Sequence, residues 1–132
     1  MKYMIVTQTF PPRTGGMQNV MDSISKRLSI YNEIHIFPDH YLAKEYNNSN
    51  FNINIHNNFS TKILRPFIKK ILLKVFCKSS DVIICDSWKS LSAIPKSFNK
   101  IYVFAHGQEF LSKEKKFEKI KKSLSRASCI IC

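Results

Sequence analysis

The stretch Phe10-Pro11-Pro12-Arg13-Thr14-Gly15-Gly16-Met17-Gln18 decides the fold of this 132-residue chain. It follows an apolar run at residues 3–6 and precedes residues 17–28, whose apolar side chains recur at helical spacing. A strand, a Gly-Gly turn and a helix in this order let the backbone approach a ligand closely, and the first helical turn points N–H groups at it. The stretch therefore predicts a site for an anion such as phosphate. A plain connection between a strand and a helix is the alternative.

Beyond this stretch, apolar runs typical of buried strands alternate with helical patterns. Strands are predicted at residues 2–8, 33–37, 51–56, 81–85, 101–105 and 128–132, with 51–56 as an edge strand. Helices are predicted at 17–30, 61–78, 90–94 and 113–126, while 41–50 is ambiguous and ends in a loop. The alternation predicts one α/β domain over residues 1–132, a Rossmann-like open parallel sheet with helices on both faces.

Three glycine-containing or polar segments lie in the connections that come after predicted strands. They are residues 15–16, 86–88 and 106–109. In open parallel sheets, ligands bind outside the carboxyl ends of the strands. We therefore expect these three segments to lie along one rim of the sheet.

The chain is strongly basic, with a formal net charge of +12 and a pI near 9.7. Such a charge suggests acidic partners: phosphorylated substrates, anionic lipid or nucleic acid. Nucleic acid is the least favoured of these partners, because the lysines are spread along the chain. Proteins that recognise specific nucleic-acid sequences also depend on arginine, which is scarce here. No run is long enough to span a membrane and no secretory signal is recognisable, so a cytoplasmic location is expected.

The four cysteines do not suggest a disulfide scaffold. Cys77, Cys85 and Cys129 lie in or beside apolar segments, which predicts small buried thiols. Cys129 and Cys132 form a C-x-x-C motif, but the isoleucines between them favour a buried strand over a metal or redox site.

The predicted helix at residues 61–78 has a broad apolar face, with Lys62, Arg65 and Lys69 opposite it. The pattern favours a helix that packs its apolar face into the core and leaves the lysines in solvent. The alternative is a basic amphipathic helix that makes peripheral contact with an anionic membrane surface.

Four motifs, at residues 10–18, 81–84, 104–109 and 125–128, together resemble the N-terminal half of retaining GT-B glycosyltransferases of family four. The similarity is nearest to bacterial mannosyl- and glucosyltransferases that act on lipid or glycan acceptors. It implies two Rossmann-like domains that face each other across a cleft. The N-terminal domain mainly holds the acceptor and the C-terminal domain mainly holds the nucleotide-sugar. No cofactor or metal is expected beside that donor.

The resemblance also implies roles for particular residues. Gly15 and Gly16 would form the loop near the donor's diphosphate, and His106 would be the catalytic residue beside the transferred sugar. The residues on the acceptor side would be Arg13, Gln18, Asp86, Trp88 and Glu109. Simpler roles stay open for three of them: Gln18 as a helix cap, Trp88 in packing and Glu109 as a solvated surface residue. The Cys85-Asp86 pair departs from the family, which leaves the acceptor undefined.

The donor-binding residues of the family have no counterpart here. Its C-terminal domain carries basic residues that hold the diphosphate and a pair of glutamates that bind nucleotide and sugar. This chain ends at Cys132, inside a predicted strand. We therefore expect an incomplete glycosyltransferase that is inactive unless a C-terminal domain or another chain supplies the donor site.

Overall fold

The structure, a computed structural model, describes residues 2–12, 14–39, 50–78, 81–105 and 114–132. Its strands are β1 (Lys2–Thr7), β2 (Glu33–Pro38), β3 (Ile53–Ile55), β4 (Val82–Cys85), β5 (Ile101–Phe104) and β6 (Cys129–Ile131). Its helices are α1 (Gly16–Leu28), α2 (Arg65–Phe76), α3 (Glu114–Leu124) and a short 3₁₀ helix (Ser90–Ala93). Every predicted strand and helix is present. The largest difference in bounds is at α2, which begins at Arg65 because the residues from Thr61 form a separate turn.

The six described strands form one parallel sheet in the order β3-β2-β1-β4-β5-β6. The chain builds outward from β1 to β3, crosses back, and then builds outward again from β4 to β6. The strand order therefore reverses between β1 and β4, as in Rossmann-type sheets. The predicted fold class, and the edge position predicted for the third strand, are confirmed.

Two apolar cores lie on opposite faces of the sheet because successive strand residues point to opposite sides. On β1, Ile5 faces the core that α1 covers with Met21. Met4 and Val6 face the other core, which α2 covers with Leu73. The 3₁₀ helix and α3 also pack on that second face. Helices therefore cover both faces, as predicted.

Helix α2 packs on the sheet through a different face from the one that its sequence favours. Its buried side chains are Lys69 and Leu73, which are 2% and 0% exposed. The large apolar side chains that were expected in the core are instead exposed: Ile63, Leu64, Phe67, Ile71, Val75 and Phe76. A polar contact explains the rotation, because Lys69 Nζ donates to the carbonyl oxygen of Thr7 at 3.0 Å and pairs with Asp39. The prediction that these apolar residues enter the core and Lys69 faces solvent is wrong.

Strand β6 is an exposed edge strand, although the sequence favoured a buried one. Its three residues are all exposed, and it lies at the end of the sheet beside β5. Cys129 and Cys132 are exposed, whereas Cys85 is buried in β4. Burial, reinforced by the charge of Asp86, raises the pKa of the Cys85 thiol well above its ordinary value. The expectation of a buried thiol therefore holds for Cys85 and is wrong for Cys129.

An aromatic cluster joins β2 and the end of β3 to α2. The ring nitrogens of His35 lie 2.7 Å from Nε2 of His56 and 2.8 Å from Oε1 of Glu33. The His56 ring stacks on Phe37 with 4.6 Å between centroids and lies 4.1 Å from the Phe76 ring. Burial, with a contribution from His35, lowers the pKa of His56 to about 4. His56 is therefore neutral at pH 7.

Candidate functional site

The loop between β1 and α1 brings the glycine pair to the carboxyl edge of the sheet. β1 ends at Thr7 and α1 begins at Gly16. Between them, the Pro11–Pro12 peptide bond is cis, and the Phe10 ring is 1% exposed in the core under α1. The loop is thus anchored in its middle by an apolar side chain, while Gly16 remains exposed.

Gln18 fastens the start of α1 to the end of β1. Its Nε2 donates to Oγ1 of Thr9 at 2.7 Å. Its side chain also lies against Gly15, where an added Cβ would be 2.3 Å from Gln18 Oε1. A side chain at position 15 would therefore displace Gln18 and loosen this link. Because this hydrogen bond joins two side chains, it holds the loop and does not cap a backbone group of the helix.

Gly16 borders open space at the positive end of α1. A Cβ added at Gly16 meets no atom within 4 Å, and neither Gly15 nor Gly16 has a positive φ. Local geometry therefore does not require glycine at position 16. Gly15 stands at the N-cap position of α1 and has no side chain to cap the helix, and the first turn of α1 has no acidic residue. Because the first N–H groups of a helix lack partners within it, this helix end can receive an anion.

Asp86 holds the ends of β1 and β4 together where the strand order reverses. It is 3% exposed. Its Oδ2 lies 2.8 Å from Oγ1 of Thr7 and accepts the backbone N–H of Gln8 at 2.7 Å. Its Oδ1 accepts Ser90 Oγ at 2.6 Å and lies 3.3 Å from Ser87 Oγ. Hydrogen bonds to a charged group contribute about 1.5–3 kcal/mol each, so Asp86 acts first as an anchor for the two loops.

An ion pair between buried Lys69 and partly exposed Asp39 joins α2 to β1 and β2 at the same edge. Lys69 contacts the carbonyl oxygen of Thr7 and the carboxylate of Asp39, which directly follows β2. Because the Lys69 ammonium is buried, loss of its partner would leave a buried charge uncompensated, which costs up to about 3–5 kcal/mol. This pair was not predicted from the sequence. The available signal was the Pro38-Asp39 pair that ends the predicted strand at 33–37, which places a carboxylate on the carboxyl edge of the sheet.

A polar cavity of about 220 Å³ opens beside these two contacts. It is bounded by the ends of β1 and β2, the first turns of α2 and the 3₁₀ helix, through the side chains of Gln8, Asp39, Pro66, Lys69, Lys89, Ser90, Ser92 and Ala93. Ligand pockets for whole small molecules usually exceed about 300 Å³. The cavity therefore suits one polar group of a larger ligand.

Trp88 is packed in the core on the α2 side of the sheet. It is 8% exposed, and Lys89 Nζ lies 6.0 Å from its ring centroid. Its Nε1 is the single buried side-chain nitrogen or oxygen without a hydrogen-bond partner among the described residues. A buried ring does not offer its face to a sugar, so this arrangement agrees with the packing alternative.

Three predicted site residues, Arg13, His106 and Glu109, lie outside the described residues. Ala105, which precedes His106, follows β5 and donates its N–H to the carbonyl of Ile131 at 2.8 Å. The structure therefore brings together the glycine pair, Gln18 and Asp86 around the ends of β1 and β4, and the position of His106 stays a prediction.

Arg126, which belongs to the fourth motif of the resemblance, has a structural role. Its guanidinium donates to the carbonyl oxygens of Leu91, Ile94 and Pro95 at 3.1, 3.0 and 3.1 Å. These contacts bind the end of α3 to the end of the 3₁₀ helix. They also satisfy carbonyl groups that a short helix leaves open at its end.

No protein-family model, curated protein or solved structure matches the chain. Within the described ranges, no helix has the length and apolar content needed to cross a membrane. A function for the carboxyl edge is therefore argued from the sequence motifs and from the geometry of the edge.

Proposed function

We propose that this chain is the acceptor-side half of a retaining glycosyltransferase, which moves a sugar from a nucleotide-sugar to a lipid or glycan acceptor. In this proposal, turnover needs a donor-binding domain that faces the carboxyl edge of the sheet. The four motifs that resemble family-four GT-B enzymes support it. A parallel sheet whose order reverses between β1 and β4 supports it as well, because such sheets bind ligands at this reversal.

The observation that carries the proposal is the open space at Gly16. Glycine is not required there by φ or by a neighbouring atom, and the residue begins a helix whose first turn has no acidic side chain. A close approach by a ligand phosphate would account for the absent side chain. The helix end would then offset part of the negative charge on the departing diphosphate.

The anchored loops around Gly16 fit the same role. A site that stabilises developing charge must be held rigidly before the ligand arrives. Asp86 supplies this rigidity by joining the loops after β1 and β4, and Gln18 supplies it at the start of α1. His106 remains the proposed catalytic residue. Arg13, Asp86, Trp88 and Glu109 remain the proposed acceptor-side residues, with Asp86 and Trp88 acting through the shape of the rim.

The Gly16→Ala variant tests the glycine loop. We expect its stability to be unchanged or raised by less than about 1 kcal/mol, because Ala is the better helix former and the Cβ meets open space. Its affinity for a nucleoside diphosphate or a nucleotide-sugar should fall at least about tenfold, or about 1.4 kcal/mol. Amide NMR titration with UDP, GDP and their glucose and mannose conjugates measures both the site and the affinity.

Ser23→Ala is the matched control, because Ser23 is an exposed residue of the same helix away from the loop. It should leave the affinity unchanged. Amide shifts elsewhere than at the ends of β1 and β4, or equal affinities of Gly16→Ala and the unchanged chain, would refute the proposed loop. Robust sugar transfer by the 132-residue chain alone would refute the requirement for a donor-binding domain.

A further inference from the structure

The outward face of α2 carries an apolar stripe that nothing in the described fold covers. The stripe consists of Leu64, Phe67, Ile71 and Val75, which are 51%, 63%, 46% and 70% exposed. Their spacing of three or four residues places them on one side of the helix. Contiguous exposed apolar surface of this kind usually marks an interaction site.

The rotation of α2 is fixed, so the stripe cannot turn into the core without breaking an ion pair. Lys69 and Leu73 occupy the buried face, and Lys69 is held by Asp39 and the Thr7 carbonyl. Turning the stripe inward would drive this paired lysine into solvent and leave Asp39 without it. The outward position of the stripe is therefore built into the fold.

Positive charge lies beside the stripe, along one flank of α2. Residues 61–78 contain no aspartate or glutamate. Their exposed lysines are Lys62, Lys70, Lys74 and Lys78. Helix α3, which packs on the same face of the sheet, also has exposed lysines at 116, 119, 121 and 122, with the exposed Glu118 among them.

We propose that α2 docks the protein on the surface of an anionic lipid bilayer, with the stripe among the acyl chains and the flanking lysines at the headgroup phosphates. Apolar side chains beside lysines, with no acidic residue in the segment, are the chemistry that binds such a surface. A second copy of the chain fits poorly, because each copy has a net charge of +12 and the two helices would bring like charges together.

This docking is independent of sugar transfer. It needs no nucleotide, and its residues lie on the outward side of α2, away from Gly16. Vesicle binding without nucleotide therefore tests it separately: the docking can fail while the glycine loop binds nucleotide, and the reverse.

The experiment is co-sedimentation of the 132-residue chain with vesicles of phosphatidylcholine alone or mixed with phosphatidylglycerol. We expect binding at least tenfold tighter to the anionic vesicles, and weaker binding as salt is raised. The Phe67→Ser/Ile71→Ser variant and the Lys70→Gln/Lys74→Gln variant should each weaken binding at least tenfold. In Phe67→Trp, emission from the new residue should shift to the blue on binding and be quenched by brominated lipid.

The matched controls are Tyr31→Ser, which removes an apolar side chain that is 89% exposed, and Lys96→Gln/Lys100→Gln, which removes two exposed charges away from α2. Both should bind as the unchanged chain does. The proposal is overturned if anionic vesicles are not bound, or if charge controls weaken binding as much as the α2 variants. It is equally overturned if the chain is a dimer in solution that Phe67→Ser/Ile71→Ser converts to a monomer.

Discussion

Asp86 and Lys69 are both buried charged side chains that bind the end of β1 at the carboxyl edge of the sheet. Each is at most 3% exposed, and each reaches the end of β1: Asp86 through Thr7 Oγ1 and the Gln8 amide, Lys69 through the Thr7 carbonyl. A buried charge without partners is costly, so these contacts must all be in place for the fold to be stable. The end of β1, and with it the loop to Gly16, is therefore fixed by Asp86 after β4 and by Lys69 of α2.

His56 should make stability depend on pH. Its pKa of about 4 in the folded protein lies below the ordinary 6.5, so the unfolded chain binds a proton first as pH falls. The free energy of unfolding that depends on neutral His56 is fully present above about pH 6.5 and declines towards pH 4. Over this range the free energy of unfolding falls with a slope that approaches about 1.4 kcal/mol per pH unit. Urea denaturation at several pH values between about 7 and 4.5 measures this slope.

His56→Gln is the control, because it removes the titrating ring and keeps a group that can bond to His35. In this variant the free energy of unfolding should change less steeply with pH than in the unchanged chain over the same pH range. Glu33, whose pKa is lowered chiefly by its hydrogen bond to His35, adds a separate decline below about pH 4.5. Equal slopes above that pH in both proteins would rule out His56 as the cause.

Elements differ in how well the sequence predicts them. The strands were predicted because buried parallel strands are short apolar runs between turns, and the open parallel sheet was predicted from their alternation with helices. The orientation of α2 was not predicted correctly, because hydrophobic periodicity reports which residues share a face of a helix and not which face is buried. The choice depended on Asp39 and the Thr7 carbonyl, which are distant in sequence from Lys69. The Asp86 anchor likewise depends on partners from two loops.

Two truncations test the orientation of α2. Leu73→Ala should lower the free energy of unfolding by about 2–5 kcal/mol, because Leu73 is fully buried. Val75→Ala should change it by less than about 0.5 kcal/mol, because Val75 is 70% exposed. Urea denaturation of both variants under the same conditions makes the comparison. The reverse ranking would mean that the apolar stripe of α2 packs inward after all.

At the scale of the whole molecule, the two proposed binding surfaces are separated from each other. The centre of the sheet, β1 with β2 and β4 on either side, is buried and joined at its carboxyl ends by Asp86. The proposed ligand edge lies on this rigid centre, which suits a site that must hold a charged group without rearranging. The proposed membrane surface lies on the outer side of α2, where lipid contact would leave the anchored loops undisturbed.

Native-state hydrogen exchange should reveal this gradient across the sheet. Amides of Met4 and Ile83, in the central strands, should exchange at least about 100-fold more slowly than that of Ile130 in the exposed edge strand β6, since edge strands open with less loss of buried contact. The Gln8 amide should also be protected although it lies beyond β1, because it donates to buried Asp86. In Asp86→Asn, that amide should lose protection before the β1 interior does. Uniform protection from β1 to β6, or a Gln8 amide that exchanges as fast as an open loop, would contradict the anchored centre on which the proposed site depends.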